Sequence, residues 1–466
     1  MPIASFGAAA AKRAALVVLA ASCGAAPLAH PTAHQSSPQP ARTPVVVISI
    51  DGLKPDYVLE ADKHGLKIPN LRRFVATGSY ASGVRGVVPT VTYPSHTTLV
   101  TGASPARHRI LSNTTFDPFN KNQGGWYWYA DDIAIPTLWD AAREAGLVTT
   151  NVHWPVTVGA RITWNIPQVW RTGEPDDRKL VRALSTPNLV ADLERELAEP
   201  YPDGADETIE GDERRARFGE RLIVTKRPAF ALTYFTALDH AQHESGPYSA
   251  DAIATLERID AIIGRIERAA RQAHGGRVVV AVVSDHGFVP VQRQFNPGVA
   301  LREAGLLEFS SPDDDKPKSW RAAAWISGGV AGIVIRDSTD ADARSRVAAL
   351  LARLKADSAN RIAAVIDATE LRARGGYTGA AFLINLRAGM TMGSALKGTL
   401  ISETKTRGMH GYLPDDPRMQ ASFFVAGAGV AAGRNLGLID QRDIAPTLAR
   451  FLGLTLATAE GKLLLP

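Results

Sequence analysis

Three runs of consecutive apolar residues stand out in the hydropathy pattern of the chain and predict buried strands. Their sequences, rich in β-branched side chains, are TPVVVISIDG (43–52), AFALTYFTALDHAQH (229–243) and GRVVVAVVSDHG (276–287). Continuous apolar runs are typical of strands covered on both faces, because a strand with one face in water alternates apolar and polar residues. An aspartate follows the apolar part of each run, so the pattern predicts three central strands that each lead to a carboxylate.

A helical pattern separates the second run from the third. In residues 249–276, leucine and isoleucine recur at helical spacing, and two glycines close the segment. The order strand, helix, strand predicts a parallel pair joined by a right-handed crossover. Residues 68–78 and 135–146 each carry a proline near the first turn and end on glycine, which is typical of short helices. Together these elements predict an α/β layered domain.

The three aspartates, Asp51, Asp239 and Asp285, are expected at one rim of the sheet if the three strands are neighbours, because ligands of α/β sheets bind beyond the carboxyl ends of the strands. Gathered carboxylates repel one another unless cations compensate them. His243 comes four residues after Asp239, and His286 directly follows Asp285. Each aspartate taken singly could be a turn former, but carboxylate combined with imidazole is a typical ligand set for zinc.

A histidine in a polar loop extends the set. His410 lies in TRGMHGYLPDD (406–416), where two glycines would let the loop approach a metal closely. Alone it would be taken for a surface histidine. Two sites of three protein ligands each, both open to a substrate, can be built from Asp51, Asp239, His243, Asp285, His286 and His410. Two-metal sites of this type favour phosphoryl transfer.

The segment PTVTYPSHTT (89–98) is rich in hydroxyl groups and contains the expected nucleophile. If a helix begins near Pro94, Thr92 lies at its N-terminal edge, where backbone N–H groups and the helix dipole favour an anionic phosphoryl group. A hydroxyl between two metals loses its proton and becomes a nucleophile at neutral pH. The remaining hydroxyls are expected to cap the helix or to pack within it; they belong to Thr90, Ser95, Thr97 and Thr98.

The composition is that of an ordinary globular protein. Of the 466 residues, 45% are hydrophobic and 21% are charged. A chain of this length can form one large domain or two smaller ones. The net charge of +5 comes from lysines and arginines that are scattered along the chain. Binding to a nucleic-acid duplex is therefore not expected.

The N-terminal residues predict export. Two basic residues precede the apolar run AALVVLAAS (14–22), which is too short to span a bilayer and fits a secretory signal. We expect a signal peptide at 1–26, a flexible linker at 27–43 and a periplasmic or secreted protein. Cys23 is the only cysteine, so no intramolecular disulfide can form. LAASC loosely resembles a lipoprotein cleavage site, which would make a lipid on Cys23 the contact with a membrane; ordinary cleavage a little downstream is the alternative.

Six motifs occur in order along the chain: VVVISIDGLKPDYV, PTVTYPSHTTLVTG, LDHAQHESGP, VVSDHG, GMHGY and DIAPTLARFLG. With these motifs, from Pro44 to about Gly453, the chain resembles the nucleotide pyrophosphatase/phosphodiesterase family (type I phosphodiesterases) of the alkaline phosphatase superfamily. The resemblance implies an alkaline-phosphatase-like fold, in which a central, mostly parallel sheet is flanked by helices. Residues 295–400 have strand and helix patterns of their own and predict a small α/β insertion or lid, which leaves 44–294 and 401–466 as the catalytic core.

The resemblance also implies a role for each motif residue. Thr92 is the nucleophile, and Asn113 in ILSNTTFDP (110–118) helps to hold a non-bridging phosphoryl oxygen. Two divalent metal ions, expected to be Zn²⁺, contact the phosphoryl group. The implied ligands are Asp239, His243 and His410 for one ion, and Asp51, Asp285 and His286 with the Thr92 oxygen for the other.

Three positions depart from the family pattern and leave the specificity open. Ser95 and Gln242 replace an asparagine and a glycine that are common in the family, and Arg109 stands where glycine is usual. None of the three is a metal ligand. Aromatic residues in 126–132 and 153–171 could stack on a base or an aryl leaving group, or could simply pack in the core or lid.

The predicted function is that of an exported two-zinc phosphodiesterase or nucleotide pyrophosphatase, acting on small phosphate esters through a phosphothreonine. A phosphomonoesterase with the same groups is the alternative; it would need an extra cation near the phosphoryl group, for which Arg161 is a candidate. A serine hydrolase built on Ser95 and His96 is disfavoured, because adjacent residues do not easily share the required hydrogen bond. A sulfatase would need a modifiable Cys or Ser in its own motif. A non-catalytic, metal-stabilised binding protein is the remaining option.

Overall fold

The computed structural model describes residues 42–122, 125–171 and 176–465. The predicted signal peptide, Cys23 and nearly all of the predicted linker lie outside these residues. The strands of the described part are β1 (Val45–Ile50), β2 (Ser79–Tyr80), β3 (Gly83–Arg85), β4 (Thr149–Val152), β5 (Trp164–Ile166), β6 (Phe230–Phe235), β7 (Val279–Val283), β8 (Val289–Phe295), β9 (Leu307–Glu308), β10 (Ser319–Trp320), β11 (Ala322–Ser327), β12 (Val330–Ile335), β13 (Ile362–Asp367), β14 (Ala380–Leu386), β15 (Gly389–Met392), β16 (Ile401–Glu403), β17 (Gly408–Met409), β18 (Phe423–Gly427), β19 (Arg434–Asn435) and β20 (Leu438–Asp440). The α-helices are α1 (Pro55–Leu59), α2 (Pro69–Thr77), α3 (Thr92–Thr101), α4 (Pro105–His108), α5 (Leu138–Glu144), α6 (Asp177–Leu184), α7 (Leu189–Leu197), α8 (Ile209–Lys226), α9 (Ala237–Ser245), α10 (Ala250–Ala273), α11 (Pro297–Glu303), α12 (Ala341–Ala356), α13 (Ala368–Ala373) and α14 (Ile444–Phe451). Short 3₁₀ helices lie at Ala61–His64, Ala130–Asp132, Ser358–Asn360, Pro417–Met419 and Gln441–Asp443.

The central sheet of the described residues has eight strands in the order β19-β2-β18-β7-β1-β6-β4-β5. β1 lies between β6 and β7 and runs parallel to both, with Val45 opposite Phe230 on one side and Val279 on the other. The three predicted strands are therefore neighbours. β6 and β7 are parallel to each other but do not pair directly, because β1 occupies the place between them. β4 and β5 continue the parallel part, and β18 runs antiparallel beside β7.

Alternate residues of β1 face two different apolar layers. Val46 and Ile48 belong to a core that includes the leucine and isoleucine side chains of α10, the helix predicted in residues 249–276. Val45 and Val47 face the opposite core, to which α3 and α14 contribute. The sheet is thus covered on both faces, as the continuous apolar runs predict. This architecture confirms the predicted α/β class.

The two shorter helices that the sequence predicts are confirmed with small shifts. α2 begins at Pro69 and is followed by Gly78. α5 begins only at Leu138, because the side chain of Thr137 accepts a hydrogen bond from the Asp140 N–H and caps the helix there. Among the helices of residues 42–122, 125–171 and 176–465, none combines the length and the hydropathy of a membrane span.

Residues 295–400 carry a second sheet, which is antiparallel and has the order β11-β12-β14-β13. α12 contributes Val347, Leu350 and Leu351 to the core beneath this sheet. This interval therefore contains a sheet and a helix, packed on a core that also includes Val289 and Tyr412 from outside it. The exact division into catalytic core and insertion stays a prediction.

β8 follows the third predicted run and lies beside the segment that carries His410. It pairs antiparallel with β17, with Val289 opposite Met409. His286 comes shortly before β8, and His410 directly follows β17. The pairing of these two strands therefore brings the two histidines together from distant parts of the chain.

Candidate metal centre

The three predicted aspartates lie where the central strands end. Asp51 directly follows β1, and its N–H donates to the carbonyl oxygen of Phe235 at the end of β6, at 2.9 Å. Asp285 lies two residues after β7, and its Oδ1 accepts the N–H of Gly52 at 3.1 Å. Asp239 is in the first turn of α9, which begins just after β6. Parallel neighbours thus deliver all three carboxylates to one rim, as predicted.

His286 joins two of these carboxylates in a first ligand group. Its Nε2 lies 3.3 Å from Asp51 Oδ1 and 3.1 Å from Asp285 Oδ2. Ligand atoms of Asp51, Asp285 and His286 all fall within 4.8 Å of one another. All three residues are buried. The arrangement is compact enough for one divalent ion.

A second ligand group surrounds Asp239. His243 Nε2 lies 3.2 Å from Asp239 Oδ2, and His410 Nε2 lies 3.7 Å from Asp239 Oδ1. The atoms that fall within 4.8 Å of one another here belong to Asp239, His410 and His286, so His286 is shared by both groups. The ring of His243 lies farther out, with its centroid 5.2 Å from that of His410.

Backbone carbonyl groups orient the two outer histidines. The Nδ1–H of His243 donates to the carbonyl oxygen of Gly408 at 2.9 Å, and that of His410 donates to the carbonyl oxygen of Thr90 at 3.2 Å. Each contact uses the inner ring nitrogen, which leaves Nε2 as the ligand atom. Metal-binding histidines are usually held in this way.

The electrostatics of the first group favour a bound cation. Burial raises the pKa of Asp51 well above its ordinary value, and the charges of Asp239 and Asp285 raise it further. Burial also raises the pKa of Asp285 to about 7. Without a cation, these carboxylates are therefore costly to ionise, because buried like charges repel.

In the second group, histidine side chains offset the negative charge of Asp239. Burial raises the pKa of Asp239, but the charge and hydrogen bond of His243 outweigh it, so the pKa of Asp239 lies below its ordinary value. Burial lowers the pKa of His243, yet the effect of Asp239 is larger and raises this pKa to about 8. Burial lowers the pKa of His410 to about 4, so its imidazole is neutral and available as a ligand.

Unpaired buried atoms show that these side chains fit a metal. Asp51 Oδ1, Asp239 Oδ1, Asp285 Oδ2 and both ring nitrogens of His286 are buried and accept or donate no hydrogen bond within the described residues. Buried polar atoms rarely lack a partner. Oxygen and imidazole donors at this spacing match the preferences of Zn²⁺ and related divalent ions.

Thr92 is the first residue of α3, two residues earlier than the predicted start near Pro94, and is almost fully buried. The next residue, Tyr93, donates its N–H to Asn113 Oδ1 at 2.9 Å, so the predicted nucleophile and the predicted oxyanion contact lie side by side. Thr90 ties this segment to the His410 loop, since its hydroxyl donates to the carbonyl oxygen of Tyr412 at 2.8 Å.

The other hydroxyls of the segment are used for packing within the described structure. Thr97 and Thr98 donate to the carbonyl oxygens of Tyr93 and Ala103, both at 2.8 Å. The hydroxyl of Ser95 is fully buried. These environments match the prediction that the remaining hydroxyls cap or pack.

The segment that carries Asn113 is fastened to residues of the predicted insertion. The indole N–H of Trp325 donates to the carbonyl oxygen of Thr114 at 3.0 Å. The hydroxyls of Ser112 and Ser327 share a hydrogen bond of 2.6 Å. Both residues that flank Asn113 in sequence are therefore attached to β11.

Two buried side chains next to the centre, His96 and Tyr234, have roles there that the sequence did not predict. His96 donates from Nδ1 to the carbonyl oxygen of Thr92 and accepts at Nε2 from the hydroxyl of Ser49, both at 2.8 Å. Burial lowers the pKa of His96 to about 3, so it is neutral. The hydroxyl of Tyr234 donates to Asp51 Oδ2. A serine and a tyrosine within otherwise apolar strands were the available signals.

Aromatic residues form a cluster beside Tyr93. Trp126 and Trp128 are nearly parallel, with centroids 5.8 Å apart, and Trp170 packs edge-on against both at 4.9 and 4.4 Å. Tyr93 lies 5.3 Å from Trp126. The rings thus pack against one another, and stacking on a substrate stays a prediction.

Two further residues that sequence analysis singled out have a clear local environment. Arg109 has a φ of 72° after α4, a left-handed conformation that favours glycine and accounts for the glycine usual there. Arg161 is exposed and pairs with Asp140 at 3.0 Å. Its guanidinium is thus engaged by a carboxylate that also takes part in the cap of α5.

A mostly parallel sheet with a carboxylate and imidazole centre at its rim defines a protein with the alkaline-phosphatase-like fold. Solved structures share this fold. Murine ectonucleotide pyrophosphatase/phosphodiesterase 5, solved as an inactive variant in complex with AMP, has a TM-score of 0.64 at 18% identity, over 90% of this chain and 97% of its own. The human protein of the same name has a TM-score of 0.63 with the same coverage.

The chain belongs to the type I phosphodiesterase / nucleotide pyrophosphatase family, whose model matches residues 45–413. Ectonucleotide pyrophosphatase/phosphodiesterase family member 3 of Rattus norvegicus is 26% identical over 256 residues, which are 53% of this chain and 25% of that protein. Venom phosphodiesterase of Naja atra is 23% identical over 262 residues, which are 53% of this chain and 26% of that protein. The match thus spans about a quarter of the length of these relatives.

Proposed function

We propose that this protein is an exported two-zinc phosphodiesterase or nucleotide pyrophosphatase, which hydrolyses small phosphate esters through a covalent phosphothreonine on Thr92. The observation that carries this proposal is the convergence of two carboxylate and imidazole groups at the rim of the sheet, beside a helix that begins at Thr92. Export rests on the signal peptide predicted at 1–26.

The relatives support the type of reaction. Their names are those of phosphodiesterases and pyrophosphatases, so the bond to be cleaved is a phosphorus–oxygen bond. The murine structure holds AMP, which supports a nucleotide-like substrate for this chain as well. Dinucleotides and nucleoside triphosphates are the first substrates to test.

The ligand groups would hold two divalent ions, with His243 completing the group of Asp239 and His410. Bound ions of this kind stabilise negative charge on phosphoryl oxygens and favour the ionised form of a nearby hydroxyl. Oxygen and imidazole donors suit zinc, because its preferred ligands include both.

Thr92 supplies the attacking oxygen. Its Oγ forms a bond to phosphorus while the bond from phosphorus to the alcohol or nucleotide breaks, and water then cleaves the phosphothreonine and regenerates the hydroxyl. Two in-line displacements retain the configuration at phosphorus. Because the N–H of Tyr93 occupies the Asn113 carbonyl oxygen, the amide NH₂ of Asn113 remains as the donor for a non-bridging oxygen.

A diester is favoured over a monoester as the substrate. A monoester carries more negative charge, and its stabilisation calls for an additional cation. Arg161, the candidate for that role, pairs with Asp140 instead. We therefore expect faster cleavage of a bis-aryl phosphate than of a mono-aryl phosphate at equal concentration, and the reverse order would favour the phosphomonoesterase alternative.

Replacement of the nucleophile tests the proposal. Thr92→Ala should lose about a thousandfold or more in turnover and still bind two zinc ions per chain, because the six aspartate and histidine ligands remain. Thr92→Ser keeps a hydroxyl and serves as the matched control. A radiolabelled substrate should leave acid-stable phosphothreonine on the wild type and none on Thr92→Ala; substantial turnover by Thr92→Ala would remove Thr92 from its role.

A further inference from the structure

We propose that Gln242 is a positioning residue that locks the two ligand groups of the metal centre together. This inference rests on the proposed function, because it assigns Gln242 a role in holding the metal ligands. Gln242 immediately precedes His243 in α9 and is fully buried. The family commonly has glycine at this position, so its side chain is a feature of this chain.

The side-chain amide of Gln242 donates one hydrogen bond and accepts another. Its Nε2 donates to the carbonyl oxygen of Gly52 at 3.0 Å. Its Oε1 accepts from the hydroxyl of Tyr57 at 3.1 Å. One end of the amide is thus fixed to the turn after β1 and the other to α1. Because the donor and acceptor ends differ, a single orientation of the amide satisfies both partners.

These bonds belong to a longer chain of hydrogen bonds that reaches the first ligand group. The N–H of Tyr248 donates to the Tyr57 oxygen at 2.7 Å, and the N–H of Gly52 donates to Asp285 Oδ1 at 3.1 Å. Gly52 therefore receives a bond from Gln242 at its carbonyl and gives one to Asp285 from its amide. The chain connects the helix that carries Asp239 and His243 with the turn that carries Asp51.

Gln242 is also closely packed against two glycines, Gly52 and Gly408. Gly52 has a φ of +67°, and a Cβ there would lie 2.9 Å from Gln242 Nε2 and 2.8 Å from the ring of Phe288. A Cβ on Gly408 would lie 2.3 Å from the carbonyl oxygen of Gln242. Gly408 in turn accepts the Nδ1–H of His243. Gln242 therefore contacts the supports of both groups at once.

Removal of the amide should loosen the centre without removing any ligand. Gln242→Met keeps an unbranched side chain of similar length but makes neither hydrogen bond, so it separates hydrogen bonding from filling of space. It leaves the carbonyl of Gly52 and the hydroxyl of Tyr57 without their partner. Loss of such support around metal ligands typically weakens metal binding by about 10- to 100-fold.

The experiment measures zinc affinity by titration of the metal-free full-length protein in zinc buffers. It also records the visible spectrum of the Co²⁺-loaded protein. Neither measurement depends on turnover. We expect a 10- to 100-fold weaker affinity and a changed Co²⁺ spectrum for Gln242→Met, and a smaller change in the same direction for Tyr57→Phe. The matched control is Asn360→Leu in the predicted insertion, a buried amide that donates to the carbonyl of Leu354 at 2.9 Å.

The outcomes are distinct. Wild-type affinity and spectrum in both Gln242→Met and Tyr57→Phe, or an equal loss in Asn360→Leu, would overturn the role of Gln242. If Gln242→Met does not fold, Tyr57→Phe alone decides, because it keeps the aromatic ring in place. Absence of phosphodiester hydrolysis by the zinc-loaded wild type would refute the proposed function and leave the affinity comparison valid.

Discussion

The imidazole rings of His286 and His410 lie parallel, with centroids 3.6 Å apart and 9° between the ring planes. The two residues meet because β8 pairs with β17, so the register of Val289 against Met409 sets the spacing of the two histidines. The backbone around His410 is tightly packed as well. The geometry of the metal centre is therefore sensitive to residues that do not bind metal.

Gly328→Ala should damage the centre from outside the ligand set. Gly328 has a φ of +62°, and a Cβ there would lie 2.1 Å from the carbonyl oxygen of His410, so the loop of His410 must move. We expect at least tenfold losses in zinc affinity and in kcat/KM, measured by titration and by steady-state kinetics. Gly379→Ala is the control, because Gly379 has a φ of +101° with open space around it. This substitution therefore measures only the cost of a left-handed backbone conformation for alanine, about 1–2 kcal/mol.

Chelation should lower the stability of the protein and zinc should restore it. Asp51 Oδ1 and Asp285 Oδ2 are buried and accept no hydrogen bond within the described residues, and a cation that binds only the folded state stabilises it. With free zinc at a hundred times its Kd, each site contributes about 2.7 kcal/mol to the free energy of unfolding. Thermal melts before and after dialysis against a chelator measure this difference. Coincident melts would show that these groups hold no stabilising ion.

Tyr234→Phe should weaken zinc binding while the protein stays folded. The hydroxyl of Tyr234 donates to Asp51 Oδ2, and its removal leaves that buried oxygen without a donor. We expect about a 10- to 100-fold loss of affinity in a zinc titration. Tyr80→Phe, at a partly buried tyrosine packed against the α10 core, is the matched control and should bind zinc as the wild type does.

Acid should destabilise the protein in part through His108. This buried histidine contacts the hydroxyl of Thr98 at 3.1 Å, and burial lowers its pKa to about 3, from an ordinary value near 6.5. Its neutral form therefore contributes stability that is complete above pH 6.5 and is lost as the pH falls toward 3. The slope is at most about 1.4 kcal/mol per pH unit.

Denaturant unfolding of the metal-free protein at pH 7 and pH 5 measures this effect. His108→Gln should show a smaller loss of stability between the two pH values than the wild type. An identical loss in the variant would mean that His108 does not contribute.

The central strands could be predicted because the apolar runs are long, uninterrupted and β-branched. The position of β1 between β6 and β7 could not be deduced from these runs. The aspartates then follow from the chain, since each comes directly after a strand or within a few residues of it. Local pattern is sufficient for such residues. The start of α5 shows the limit of the pattern, because the cap formed by Thr137 outweighs the proline before it.

The supports of the centre could not be predicted, because their partners lie far away in the chain. Nothing near Gln242 in sequence indicates Gly52 or Tyr57, and nothing near His96 indicates Ser49. The sharing of His286 by both ligand groups also depends on the pairing of β8 with β17. Such contacts are decided by tertiary packing.

The attachment of Asn113 to β11 has an evolutionary consequence. Trp325 and Ser327 hold the residues on either side of Asn113, yet neither contacts the aspartates and histidines at the rim through the hydrogen bonds described above. If Asn113 holds a phosphoryl oxygen as proposed, substitutions at Trp325 or Ser327 would shift that amide without removing any of the proposed metal ligands. New substrate preferences could therefore arise by substitution at Trp325 or Ser327, whereas the adjoining Gly328 lies against the His410 loop and is constrained by it.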